Sequence, residues 1–151
     1  NDSGRQRKTA APGLPRKLDY AARDEKNRVL GEAGEEWVVD LEQKRLKSAG
    51  CPELAKKVER VSRKDDSLGY DVSSYNSDGS SLKIEVKTTN GDANASFLIS
   101  KNEVEVSKRD SKSFYLSRGF NFRKRPQLYV LQGDLSDNLD LAPQVYRAFT
   151  K

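Results

Sequence analysis

Residues 70–88 read YDVSSYNSDGSSLKIEVKT, and the fold is decided here. Tyr70-Asp71-Val72-Ser73-Ser74-Tyr75 and Leu82-Lys83-Ile84-Glu85-Val86-Lys87-Thr88 are rich in strand-forming residues and flank the turn cluster Asn76-Ser77-Asp78-Gly79-Ser80, so the pattern predicts a β-hairpin. The side-chain period of two puts Leu82, Ile84 and Val86 on one face of the second arm and Lys83, Glu85 and Lys87 on the other. Pairing through the turn carries Asp71 towards Glu85. Two carboxylates and an amine then converge.

Upstream, Tyr20 to Ser48 contains no proline, and Leu30, Trp37, Val38, Leu41 and Leu46 recur at roughly helical spacing. That predicts a long amphipathic helix with Trp37 in its core stripe, candidate breaks at Gly31 and Gly34, and an end at Gly50-Cys51-Pro52. A short helical turn over 53–57, a short strand over 58–61 and a turn at 65–69 follow. Downstream, Phe97-Leu98-Ile99 reads as a strand. Ser100-Lys101-Asn102-Glu103 has the spacing of a capping box for a helix to about Asp110, against which the alternation Glu103-Val104-Glu105-Val106 argues for strand. Phe114–Ser117 and Gln127–Leu131 read as strands, before a loop and a short C-terminal piece ending near Phe149. Helix, strands, helix, strands is the order of an α/β or α+β fold, with helices flanking a mixed central sheet.

The chain has 151 residues, which bounds it to one domain, with 34% apolar and 34% charged residues and a mean hydropathy of -0.87. No run approaches a membrane span and no apolar stretch follows the basic N-terminus as a secretory signal requires. The expectation is a soluble intracellular protein, cytoplasmic in a bacterium or nuclear in a eukaryote, with no membrane partner. There is no Met, which marks a piece of something larger or a processed form. The net charge is +5, but Arg5, Arg7, Lys8, Arg16 and Lys17 against Asp2 give residues 1–18 a net +4 and leave the rest only +1. Residues 1–19, rich in Gly, Pro, Ser and Thr, read as a flexible basic arm or linker, and residues 20–151 as the folded domain.

With a single cysteine, Cys51, and no histidine, Cys/His zinc sites and every histidine-based mechanism fall away. Proton transfer is left to carboxylates, Lys, Tyr or metal-bound water. Paired carboxylates without histidine suit a hard cation, and Mg²⁺ takes oxygen ligands from one or two carboxylates together with substrate phosphate. The same residues also fit the charged solvent face of an antiparallel sheet, where such pairs contribute at most about 1 kcal/mol. Basic residues cluster at Lys56, Lys57, Arg60, Arg63 and Lys64, and again at Arg118, Arg123, Lys124 and Arg125. The aromatics among the second group, Tyr115, Phe120 and Phe122, fit sheet packing first and base stacking second.

Gly69-Tyr70-Asp71-Val72 followed by Ile84-Glu85-Val86-Lys87-Thr88-Thr89 resembles the D-(spacer)-E-x-K core of PD-(D/E)XK restriction-endonuclease-like nucleases, with Tyr70 where the name motif has Pro. Gly31-Glu32-Ala33-Gly34-Glu35-Glu36-Trp37-Val38 resembles the Gly-Glu helix that precedes that core and lends it an acid, matched best by Glu35 and next by Glu36. Phe97-Leu98-Ile99-Ser100 with Glu103, Phe114-Tyr115-Leu116-Ser117-Arg118 and Leu128-Tyr129-Val130-Leu131-Gln132-Gly133-Asp134 look like the domain at the C-terminus of the plant protein NO VEIN. The resemblance covers roughly Arg28 to Phe149, and related domains occur in bacterial restriction and phage-defence proteins.

What the resemblance implies is a restriction-endonuclease-like core that hydrolyses DNA phosphodiesters. Asp71, Glu85, the carbonyl of Val86 and Glu35 would hold Mg²⁺, with Mn²⁺ as a substitute, and Lys87 would position the attacking water. Lys101, Lys108, Arg118, Arg123, Lys124 and Arg125 are candidate phosphate contacts, which position a strand rather than read it. The weakly charged body implies a fused or associated ATPase, helicase, methyltransferase or recognition domain, with a homodimer as one way to cut both strands. The alternative is a catalytically inactive module of the same fold that binds nucleic acid or a partner protein.

Overall fold

The computed structural model describes the chain from residue 17 onward, and its side chains from residue 25. Apart from its last three residues, the basic arm expected over 1–19 lies outside the described residues. Helix α1 spans Lys17–Ser48 and runs unbroken through Gly31 and Gly34. Its buried positions Gly34, Val38 and Leu46 recur in steps of four or eight, while Arg28 bonds Glu25 and Glu32, and Arg45 bonds Glu42, on the outer side. Gly50, at φ +76°, turns the chain out of α1, and the Cys51 N–H donates to the Leu46 carbonyl at 2.8 Å. That left-handed residue is the usual helix stop. Pro52, which has no N–H to lose, then opens α2, Pro52–Lys57.

After strand β1, Glu59–Arg60, come two short 3-10 turns, Val61–Arg63 and Asp66–Leu68, then β2, Val72–Tyr75, and β3, Ser81–Thr88. The hairpin expected from residues 70–88 is present, with Tyr75 opposite Ser81 and Val72 opposite Ile84. Helix α3, Lys101–Arg109, leads to β4, Phe114–Phe120, then β5, Gln127–Gln132, and the short α4, Leu135–Asn138. The five strands among the described residues form one sheet in the order β1-β2-β3-β4-β5, antiparallel throughout except for the parallel pair β3 and β4. The fold is α+β, with a mostly antiparallel sheet flanked by helices.

One expectation meets a correction, and the helix expected over 101–110 is present. Phe97-Leu98-Ile99 is not a strand: β3 and β4 pair directly, so the crossover between them has no free place in the sheet. The alternation at 103–106 lies in a helix, because the Ser100 hydroxyl caps the Glu103 N–H while the Glu103 carboxylate caps the Ser100 N–H. Reciprocal capping outweighs a four-residue alternation.

The sheet is covered on both faces. Against α1 and α2 lie Val72, Leu82, Ile84 and Val86 with Val38, Leu46, Ala55 and Val58. On the opposite face, Val106 of α3 and Leu135 of α4 pack with Phe114 and Leu116 of β4. Each of these side chains other than Ala55 contributes about 1.5–3 kcal/mol by leaving water. The face carrying Lys83, Glu85 and Lys87 is therefore no solvent face: α3 lies over it, and Glu85 is only 3% exposed.

Candidate active site

Three local features place the acidic groups. Gly34 is in contact with the end of β3, where a Cβ would overlap the Thr88 side chain, so only glycine lets α1 descend this far and bring Glu35 to the strand. Gly69, at φ +77°, is closed in by Val106 and Asn102 of α3 and turns the chain into Tyr70-Asp71. Asp71 then prolongs the β2–β3 ladder, its N–H donating to the Ile84 carbonyl at 2.9 Å. Its carboxylate Oδ2 accepts from the Val86 N–H, also at 2.9 Å.

Asp71 and Glu85 consequently face each other on the side of the sheet beneath α3. Burial raises the Asp71 carboxyl most; the Val86 amide opposes it, and the charge of Glu35 and a hydrogen bond shared with Glu35 add to the rise, giving about 7. Burial likewise raises Glu85, reinforced by the Asp71 charge and opposed by Lys87, to about 10. Two carboxyls this close cannot both ionise freely, and near neutral pH the pair holds a proton.

Lys87 lies between two acids, its Nζ 3.2 Å from Glu85 Oε1 and 2.9 Å from Glu103 Oε1. Burial works against its charge, yet Glu85 and Glu103 outweigh burial and hold its pKa above the ordinary lysine value. Glu103 is the residue the sequence did not assign to the site. Its capping-box spacing located it at the start of α3, and only the crossover of α3 over β3 shows that the same carboxylate reaches Lys87. Glu35 binds the Arg60 guanidinium at 2.5 Å and accepts from the Ser62 hydroxyl at 3.3 Å, while Glu36 faces outward to Arg60 and Arg63.

The expected phosphate contacts are dispersed. Lys101 and Lys108 are exposed on α3, and Arg123, Lys124 and Arg125 are exposed in the turn between β4 and β5. Arg118 is buried, 1% exposed, on the same sheet face as Lys87. The aromatics near the second basic cluster pack within the fold: Phe120 against Tyr129, and Phe122 edge-on to Trp37.

All donors at Asp71 and Glu85 are oxygens, which is the chemistry of a Mg²⁺ site, and a divalent cation there would replace the proton that burial and repulsion impose on the pair. Among the described residues no group of three or more acidic or cysteine side chains is arranged to hold a metal ion. Two carboxylates suffice for Mg²⁺ when water and phosphate complete the shell, so the donor set fits. Among the described residues no helix is long and apolar enough to cross a membrane.

A sequence model of the family described as "Protein NO VEIN, C-terminal" matches residues 34–131, more than half of the chain. The chain belongs to that family. The NO VEIN C-terminal match opens at Gly34, the residue that seats α1 on β3, and closes at Leu131 in β5. It therefore contains Glu35, Asp71, Glu85, Lys87, Glu103 and Arg118, and leaves α4 outside. No curated protein and no solved structure matches the chain.

Proposed function

We propose that this NO VEIN C-terminal domain is a metal-dependent nuclease domain of the PD-(D/E)XK type that hydrolyses DNA phosphodiester bonds. The observation that carries the reading is the buried Asp71–Glu85 pair with Lys87 beside it, at the end of β3 nearest the start of α3. The order helix, three antiparallel strands, crossover helix and parallel strand supports the same reading, because it brings those side chains to one strand end.

Asp71, Glu85 and the carbonyl of Val86 would hold Mg²⁺, or Mn²⁺ in its place, with Glu35 as a further acid if it leaves Arg60. When bound, the ion supplies charge neutralisation at phosphorus and a water that ionises near neutral pH. Lys87, kept charged by its two carboxylates, donates from Nζ to the attacking water or to a phosphoryl oxygen and stabilises the charge that develops there. Glu103 holds the ammonium in place without touching the substrate. The exposed cations of α3 and of the β4–β5 turn would contact flanking phosphates. A fused or associated motor, methyltransferase or recognition domain would supply the affinity and specificity that so small a net charge does not, and a second copy would allow cutting of both strands.

One observation favours the alternative, a catalytically inactive module of the same fold that binds nucleic acid or a protein: Glu35 is engaged by Arg60 and Ser62, which leaves two carboxylates rather than three. The deciding experiment is cleavage of plasmid and oligonucleotide DNA with Mg²⁺, Mn²⁺ or EDTA. Metal-dependent cutting that Asp71→Asn and Lys87→Ala abolish supports the nuclease. Binding without cutting on any substrate supports the inactive module.

A further inference from the structure

Arg118 lies at the centre of β4 with its side chain enclosed, 1% exposed. A cation so placed normally has a carboxylate against it, since burying an ion without an opposite charge is costly. Arg118 has none among the described residues. One terminal nitrogen donates to the Ala95 carbonyl at 3.0 Å, the Phe97 ring lies 4.5 Å from the guanidinium carbon, and Nε–H has no acceptor at all. Its register partner on β5 is Tyr129, whose phenol oxygen also interacts favourably with the guanidinium.

Its place in the sheet gives this incomplete set of partners a meaning. Arg118 is the register partner of Lys87 on the parallel strand β3. The two side chains therefore rise from the same face of neighbouring strands, whose backbones lie about 4.8 Å apart. The crossover segment lies over Arg118, with the Ala95 carbonyl and the Phe97 ring against the guanidinium. Residues 96–99 form neither helix nor strand and make no backbone hydrogen bond to the rest of the described chain, and Leu98 is 74% exposed. The cover is held by side chains rather than by backbone hydrogen bonds: Phe97 and Ile99 rest on the cluster of Val106, Phe114, Leu116 and Leu135, and the Ala95 carbonyl and the Phe97 ring meet Arg118.

We propose that Arg118 is a concealed phosphate-binding residue, and that a nucleic-acid strand lying along Lys87 displaces Phe97 so that the guanidinium takes the next phosphodiester. The ligand class rests on the nucleic-acid reading above; the concealed, unpaired cation does not. A guanidinium answers a phosphate with two parallel N–H donors, which would satisfy the Nε–H that now has no acceptor. The Phe97 ring occupies the place of the anion in its absence, as an aromatic face can for a cation.

The test is side-chain NMR of the whole chain at low salt in EDTA, following the arginine Nε–H resonances during titration with a short oligothymidylate, alongside binding curves for two variants. The Arg118 resonance is expected to move with saturation. Phe97→Ala is expected to tighten binding about threefold, because nothing need be displaced, and Arg118→Gln to weaken it about tenfold, the loss of one charge-assisted contact. If Arg118→Gln does not fold, the resonance and Phe97→Ala decide. The proposal is overturned if the Arg118 resonance stays fixed while those of Arg123 and Arg125 move, or if Phe97→Ala leaves affinity unchanged. Cleavage plays no part in these readings, so a domain that binds but never cuts can still satisfy them. Absence of any binding overturns the proposal and the nucleic-acid reading together.

Discussion

Lys87 on β3 and Glu103 on α3 are joined by a hydrogen bond of 2.9 Å, and that same Glu103 oxygen accepts from the Ser100 N–H at 2.9 Å. The cap of a helix and the lysine of the candidate site thus share one carboxylate. At the other end of α3, Asp110 bonds Lys83 of β3 at 2.6 Å. The helix is pinned over the ionic face of the strand at both ends.

Glu103→Gln separates the two duties of that carboxylate. Glutamine can still cap the Ser100 N–H but leaves Lys87 without its second negative partner. Cleavage is expected to fall at least about tenfold, with stability changed by less than about 1 kcal/mol. Glu103→Ala, which also removes the cap, should cost about 1 kcal/mol more. Rates on a fixed oligonucleotide and urea melts of both variants check this.

Two glycines of α1 should behave oppositely. A Cβ at Gly34 overlaps Thr88, whereas a Cβ at Gly31 meets nothing within 4 Å. Gly34→Ala is expected to destabilise by about 1–3 kcal/mol through overpacking. Gly31→Ala should stabilise by up to about 1 kcal/mol through helix propensity. Thermal melts of the pair suffice.

The raised carboxyls make the metal-free protein a pH-dependent fold. Asp71 and Glu85 bind protons more tightly folded than unfolded, so their contribution to stability is complete below the ordinary carboxylate value near 4 and is lost as pH rises through about 7 and then towards about 10. Stability in EDTA should therefore fall between pH 5 and 9, on the scale of about 1 kcal/mol or more. Glu85→Gln should flatten that fall and raise stability at pH 8 by about 1 kcal/mol or more, because glutamine is neutral without the proton that Glu85 must take up on folding. Urea melts across pH in EDTA are the measurement, and a stability that rises over this range in the parent protein would contradict the arrangement.

Much of this was legible in residues 70–88. Period two and the Asn76–Ser80 turn put Asp71, Glu85 and Lys87 on one face, and those constraints are local. Period two does not say what covers a face, so the burial of Glu85 under α3 was out of reach, and with it the exclusion of a solvent face. Glu103 was read through its nearest neighbours in sequence, which explained it fully as a cap. Its bond to Lys87 spans sixteen residues of chain. The engagement of Glu35 with Arg60 and the enclosure of Arg118 are long-range in the same sense. Phe97-Leu98-Ile99 shows the opposite failure: a short apolar run satisfies a strand and a covering loop equally, and the direct pairing of β3 with β4 made the choice.

Whether Asp71 and Glu85 hold a divalent cation is decided by calorimetric titration of Mg²⁺ and Mn²⁺ into the metal-free chain. Binding of about one or two ions per chain is expected, with proton release near pH 7 read from the dependence of the heat on buffer ionisation, and with both lost in Glu85→Gln. No binding at millimolar metal, or binding that Glu85→Gln leaves intact, would contradict a cation site there.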